Sequence, residues 1–260
     1  MAEAVPPMAE LAAPAGWRTV DFLSDLHLES AHPATLRTFA NYLDGTPADA
    51  VFLLGDLFEV WVGDDAIDEP GSFESECCAL LAQAAALRPV FFMHGNRDFL
   101  VGEGFTQRTG IPVLADPTVL TFADRRWMLS HGDALCLNDV EYQRFRALAR
   151  NPQWQAQLLA RPLAERRAQG RSARSESEAR KQSGMAVYAD VDSPAAVRWL
   201  RAARADALVH GHTHLPADHE LAPGLARHVL TDWDLEAPAP RAGVLRLTPQ
   251  GLQRLPLTTT

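Results

Sequence analysis

Seven side chains of carboxylate, amide and imidazole type fall in five short clusters along this chain. They are Asp25 with His27, then Asp56, Asn96, His131, and finally His212 with His214. No cysteine belongs to the set, which argues against a structural zinc site and suits Mn²⁺, Fe²⁺ or catalytic Zn²⁺. Two such ions about 3.5–4 Å apart can clamp a phosphoryl group while activating a water for in-line attack. One carboxylate with two oxygens can bridge them, and Asp56 is the expected bridge. A strand alternates its side chains, so Asp25 and His27, two residues apart, are expected to point the same way and chelate one ion, and the same holds for His212 and His214.

Each cluster follows a short apolar run: Val20 to Leu23, Ala50 to Leu54, Val90 to Met93, Trp127 to Leu129 and Ala207 to Val209. Runs of this length read as strands buried on both faces. Between the first three lie helix-like segments, roughly Pro33 to Leu43 and Phe73 to Leu87. The alternation predicts a layered α/β sandwich with its site beyond the carboxyl ends of the strands. His228 to Leu230 and Val244 to Leu247 are further strand candidates, expected to complete a second sheet.

Residues 137–190 break the alternation. They are helix-like, with apolar positions at Phe145, Leu148, Trp154, Leu158, Leu159 and Leu163. From Arg161 to Lys181 seven Arg or Lys residues meet only three Glu. Two readings compete: a solvated charged helix pair, or a cap whose aromatics and bases hold an amphipathic, anionic substrate.

The 260 residues, 47% hydrophobic, suffice for one domain with an insertion. A net charge of −9 gives no basic footprint, so nucleic acid is not an expected partner. Cys77, Cys78 and Cys136 form neither a disulfide framework nor a zinc motif, which suits a reducing compartment. Residues 1–16, rich in Ala and Pro, read as a disordered extension before a domain spanning 17–260. They lack the pattern of a signal peptide, and no run of about 18 apolar residues occurs.

The series DLHL, GDLFEVW, GNRDF, HGD and HGHTH resembles the calcineurin-like metallophosphoesterase superfamily. The longer segments Gly55 to Asp65 and His94 to Leu100 are most similar to its branch of UDP-2,3-diacylglucosamine pyrophosphatases in lipid A biosynthesis. That resemblance implies an αββα sandwich and two Mn²⁺ ions. One would be held by Asp25, His27, Asp56 and His214, the other by Asp56, Asn96, His131 and His212. It implies a lipid-linked UDP-sugar substrate and a cytoplasmic protein lying on the inner membrane, with no obligate protein partner. It further implies substrate contacts from Asn96, Arg97, Asp139, Ser175, Lys181 and His212, although Gln182-Ser183-Gly184 stands where relatives often carry another lysine.

Arg97 sharpens the expectation. The broader superfamily often has histidine there, and arginine stays protonated at neutral pH, so it cannot act as general acid. Loss of an alkoxide would need such an acid; loss of a phosphate monoester, with a second pKa near 6, does not. Arg97 therefore suits pyrophosphate cleavage, as a phosphate clamp, with a surface salt bridge as the plain alternative. Asp56, Asn96, Arg97 and His131 are the candidate catalytic residues. Asp64 and Asp65 are possible partners of ligating histidines; His94 and His210 are expected to pack. A soluble-nucleotide or phosphoprotein phosphoesterase and a non-catalytic scaffold are the rival readings; the complete ligand set opposes the scaffold.

Overall fold

A computed structural model describes residues 5–182 and 189–257, with backbone only from 176 to 182. Two six-stranded sheets lie face to face. The first has the order β12-β11-β2-β3-β4-β5 and the second β1-β6-β7-β8-β10-β9. In the first, β2 (Val20–Leu23), β3 (Ala50–Leu54), β4 (Val90–Met93) and β5 (Val113–Leu114) run parallel. The hairpin of β11 (Gly243–Thr248) and β12 (Gly251–Pro256) adds antiparallel to β2. The second sheet contains β1 (Ala9–Ala12), β6 (Thr118–Phe122), β7 (Arg125–Leu129), β8 (Ala207–His210), β9 (Asp218–Ala222) and β10 (Leu225–Val229).

Strand periodicity builds the layers. Val20, Phe22, Ala50, Phe52 and Leu54 face the other sheet and meet Leu120, Trp127, Leu129 and Val209 there. The alternate residues Leu23, Val51 and Leu53 face outward, onto α1 (Pro33–Gly45) and α2 (Phe73–Leu87) through Phe39, Leu43 and Leu81. Both helices start on clear signals: Pro33 in the first turn, and Ser72 as a cap accepting from the Ser75 amide. On the far face α7 (Ser193–Ala203) lays Ala196, Trp199 and Leu200 on Val119, Met128 and Leu208. The short α3 (Glu103–Thr109) closes the edge beside α2. The result is the expected αββα sandwich.

Two expectations need correction. Residues 9–12, placed in a disordered extension, form β1, which pairs parallel with β6 from Ala9↔Thr118 to Ala12↔Thr121. Composition alone gave no hint of this. The open edge of β6 supplies backbone partners, and Leu11 and Trp17 reach the inter-sheet core. The two late strand candidates also part company: β10 joins the second sheet, whereas Leu245 pairs with Phe22 in the first.

The insertion is three helices, α4 (Val140–Ala149), α5 (Pro152–Leu159) and α6 (Leu163–Gln182). Its bases do not form a merely solvated face. Arg166, 3% exposed, binds Asp65 with both terminal nitrogens and donates to the Val62 carbonyl. Arg167 pairs with Glu69 and Glu74. These arginines fasten α6 to the segment after β3.

Candidate metal centre

The strands stop short of the ligands. β2 ends at Leu23, β3 at Leu54, β4 at Met93, β7 at Leu129 and β8 at His210. Asp25, His27, Asp56, His212 and His214 all have positive φ, between 49° and 66°. Strand alternation therefore does not aim these side chains. Tight left-handed turns do, at a cost of order 1–3 kcal/mol each that persists only where the surroundings enforce it. Here backbone bonds enforce it: Asp25 N to Gly55 O (3.1 Å), His27 N to Asp56 O (3.0 Å) and Gly211 N to His131 O (3.0 Å). Two glycines make the approach possible. A Cβ on Gly95 would collide with the Asp56 carboxylate, and one on Gly211 with that of Asp25.

All seven predicted ligands converge. Donor atoms of Asp25, His27 and His214 lie within 4.8 Å of one another, as do those of Asp25, Asp56 and His131. Asn96 Oδ1 lies 3.0 Å from His131 Nε2 and 2.7 Å from His212 Nδ1. Asp25 is common to the two carboxylate–histidine groups. Asp56 sits between the histidines, its negative charge acting on both His27 and His131.

The ring nitrogens show that this cluster suits cations. His131 Nδ1 faces the Leu54 carbonyl at 3.0 Å and must donate to it. In a neutral ring the Nε2 lone pair is then left facing two acceptors, Asn96 Oδ1 at 3.0 Å and Asp56 Oδ1 at 3.7 Å. Likewise His27 Nδ1 lies 2.8 Å from Glu59 Oε2, leaving Nε2 to face His214 Nε2 at 3.3 Å. Such an arrangement calls for positive charge between the donors. The pKa pattern agrees. Burial opposes a charged His131, yet Asp56 and Asp25 push its pKa up to about 9. Burial raises the pKa of Asp25, but the hydrogen bond and charge of His214 pull it well below the carboxylate range. Burial, with His131 nearby, lowers His212 to about 4. An oxygen and imidazole donor set without thiolate suits divalent ions of the manganese, iron or catalytic zinc type.

Some partners escaped the sequence reading. Glu59, not Asp64 or Asp65, lies against one of the predicted ligands, 2.8 Å from His27 Nδ1. Asp64 accepts from Trp61 Nε1 (2.9 Å), Gly102 N (3.0 Å) and Phe105 N (3.2 Å), and Asp65 binds Arg166. Asp232 Oδ2, 3.4 Å from His214 Nδ1, orients that ring. The only signal was, for Glu59, an acid within the apolar run LFEVW and, for Asp232, its place in the triplet DWD. His94 and His210 pack as expected: both are held neutral chiefly by burial, His94 near 4 and His210 near 3.

Arg97 lies beside the cluster, its amide donating to Asp56 Oδ1 (2.8 Å) and its guanidinium 3.5 Å from Glu59. Asp139 caps α4 by accepting from Tyr142 N at 3.0 Å. Through that helix Tyr142 donates to Asp133 (2.6 Å) and its ring tilts over His212 at 5.4 Å. Arg146 adds a second bond to Asp133 at 2.8 Å. The insertion thus touches the loops that carry Asp133 and His212. Ser175 is exposed and its hydroxyl donates to its own helix at Arg171 O. The Lys181 side chain falls outside the described residues. Val140, Phe145, Leu148 and Leu159 leave apolar surface exposed on α4 and α5.

Residues 18–216 match the calcineurin-like phosphoesterase family, and the chain belongs to that family. Within it, the chain is 45% identical over 241 residues to the UDP-2,3-diacylglucosamine hydrolase of Chromobacterium violaceum, covering 92% of this chain and 98% of that one. The proteins of the same name from Xanthomonas oryzae pv. oryzae (44% identity, 90% and 97% covered) and Bordetella pertussis (42%, 88% and 92%) are similarly close. A serine/threonine phosphatase from Saccharomyces cerevisiae shares the fold, with a TM-score of 0.52 at 14% identity over 97% of this chain and 84% of that one.

Proposed function

We propose that this chain hydrolyses the pyrophosphate of UDP-2,3-diacylglucosamine to UMP and 2,3-diacylglucosamine 1-phosphate, a step of lipid A biosynthesis. The observation that carries the reading is the complete donor cluster of Asp25, His27, Asp56, Asn96, His131, His212 and His214, in a chain 45% identical to a hydrolase of that name. Two divalent ions, Mn²⁺ for preference, would polarise the phosphoryl group and lower the pKa of the attacking water. Asp25, His27, Asp56 and His214 would hold one ion and Asp56, Asn96, His131 and His212 the other.

The chain's own residues do the rest. Arg97, whose amide donates to Asp56 and whose guanidinium lies 3.5 Å from Glu59, would neutralise charge on the phosphoryl oxygens without acting as acid, which the monoester leaving group does not require. Asn96, Arg97, His212 and Asp139 line the approach to the α-phosphorus; Ser175 and Lys181 on α6 are assigned the far end of the substrate. The apolar surface of Val140, Phe145, Leu148 and Leu159 supports a cap that holds the acyl chains. Binding at those chains helps to orient the pyrophosphate. No helix among the described residues is long and apolar enough to cross a membrane. A cytoplasmic chain resting on the inner membrane by that cap accords with the lipid substrate.

The test is turnover after chelation and return of Mn²⁺, comparing a UDP-diacylglucosamine with soluble phosphodiesters and phosphomonoesters. Preference for the lipid-linked pyrophosphate is expected. Equal or greater activity on soluble esters would replace this reading with a soluble phosphoesterase.

A further inference from the structure

Glu59 is one carboxylate with three cationic or proton-donating neighbours from three parts of the fold. Its Oε2 lies 2.8 Å from His27 Nδ1. Its Oε1 lies 3.5 Å from Arg97 NH1 and 3.2 Å from Arg174 Nε on the cap helix α6. The side chain is 12% exposed, so little water competes for these contacts. Glu29 holds the other end of the same arginine, at 2.8 Å from NH2 and through a second contact to NH1. The cap thereby connects to a ligating histidine through a single carboxylate.

We infer that Glu59 is a positioning residue that couples docking of α6 to metal binding at His27. The inference rests on the metal-centre reading above. The negative charge of Glu59, 2.8 Å from Nδ1, favours the Nδ1-protonated tautomer of His27 through an ion-pair contact rather than an aligned hydrogen bond, and so leaves Nε2 to the ion. Two arginines on the opposite oxygen hold that carboxylate in place. Undocking of α6 removes one of them and loosens His27, although no atom of α6 touches the ring through this route. Glutamine cannot replace Glu59 here. If its oxygen accepts from His27, its NH₂ group meets the guanidinium donors of Arg97 and Arg174.

The test uses the full chain and Mn²⁺ itself, with affinity read from chelator competition and free Mn²⁺ by electron paramagnetic resonance. Glu59→Gln should weaken one of the two ions by roughly 10–100-fold. Arg174→Met, remote from the ion, should weaken the same ion several-fold. The double variant should be no weaker than Glu59→Gln alone, because both changes break one path. Glu29→Gln frees the other end of Arg174 and should leave Mn²⁺ affinity within about twofold of wild type, since Arg174 stays on Glu59. Limited proteolysis of α6 reports docking independently. Should Arg174→Met fail to fold, Arg174→Lys, which keeps the charge but loses the fork, should shift affinity in the same direction by less. Faster cleavage of α6 in Arg174→Met with wild-type Mn²⁺ affinity would overturn the coupling, as would additive losses in the double variant. Wild-type protein that binds no Mn²⁺ would overturn the metal-centre reading itself and the inference with it.

Discussion

Phe145→Ala separates substrate holding from folding. The ring is 43% exposed on α4, meets Phe99 edge-on at a centroid distance of 6.3 Å and lies tilted to Tyr142 at 6.5 Å. Full burial of such a side chain contributes about 1.5–3 kcal/mol. If acyl chains cover the exposed part, truncation forfeits about 1 kcal/mol of binding, or roughly fivefold in kcat/KM toward the lipid substrate. The part already packed contributes about another 1 kcal/mol to stability, visible as a lower urea midpoint but common to every substrate. The assay is therefore a ratio: kcat/KM for UDP-diacylglucosamine over kcat/KM for a small artificial phosphodiester, in wild type and variant. The ratio should fall about fivefold. Equal losses on both substrates would make Phe145 merely structural. An unchanged ratio with unchanged rates would remove the acyl chains from this face. Trp154 is a poorer probe, because it packs partly buried against Phe99 and the helix-side core.

Three other outcomes are expected. Asp56→Ala should abolish turnover and reduce bound Mn²⁺ from two ions toward one or none by elemental analysis; two ions with full activity would end its bridging role. Hydrolysis in ¹⁸O water should label UMP and leave the lipid phosphate unlabelled, and label in the lipid product would place attack at the other phosphorus. Asp218→Asn tests a structural pair at the far rim. The Arg254 hydrogen bond, with help from His228 and against slight burial, lowers Asp218 from 3.8 to about 2. A depressed folded-state pKa stabilises above the unfolded value and loses that contribution as pH falls toward the folded one. The melting-temperature gap between wild type and variant should be constant from pH 7 to about 5 and narrow below about 4. A gap that widens on acidification would contradict the assignment.

The convergence of the seven candidate ligands was legible because each follows an apolar run, and the sheets carry those run ends to one rim. How they are aimed was not. The positive φ at Asp25, His27, Asp56, His212 and His214 comes from backbone bonds between separate loops, so local periodicity carries no trace of it. The same holds for long-range pairing. Arg166 meets Asp65 across 101 positions and His214 meets Asp232 only after the chain has made two more strands. β1 escaped notice because an Ala-rich segment becomes a strand only where an open sheet edge receives it. Composition did flag the basic stretch from Arg161 to Lys181, read as a solvated face or as bases for an anionic substrate; Arg166, Arg167 and Arg174 instead pair with acidic residues of the sandwich.

Cleavage of the pyrophosphate in a UDP-linked diacyl sugar by the Asp25-to-His214 cluster, loaded with divalent ions, is read by ³¹P NMR of UDP-2,3-diacylglucosamine mixed with chelated protein, before and after incubation with returned Mn²⁺. The paramagnetic ion is chelated again before acquisition. The two pyrophosphate resonances should persist in the chelated sample. After Mn²⁺ addition they should give way to two monoester resonances of equal intensity, those of UMP and the sugar 1-phosphate. Pyrophosphate resonances that persist while two Mn²⁺ ions are bound, or release of inorganic phosphate instead, would contradict it.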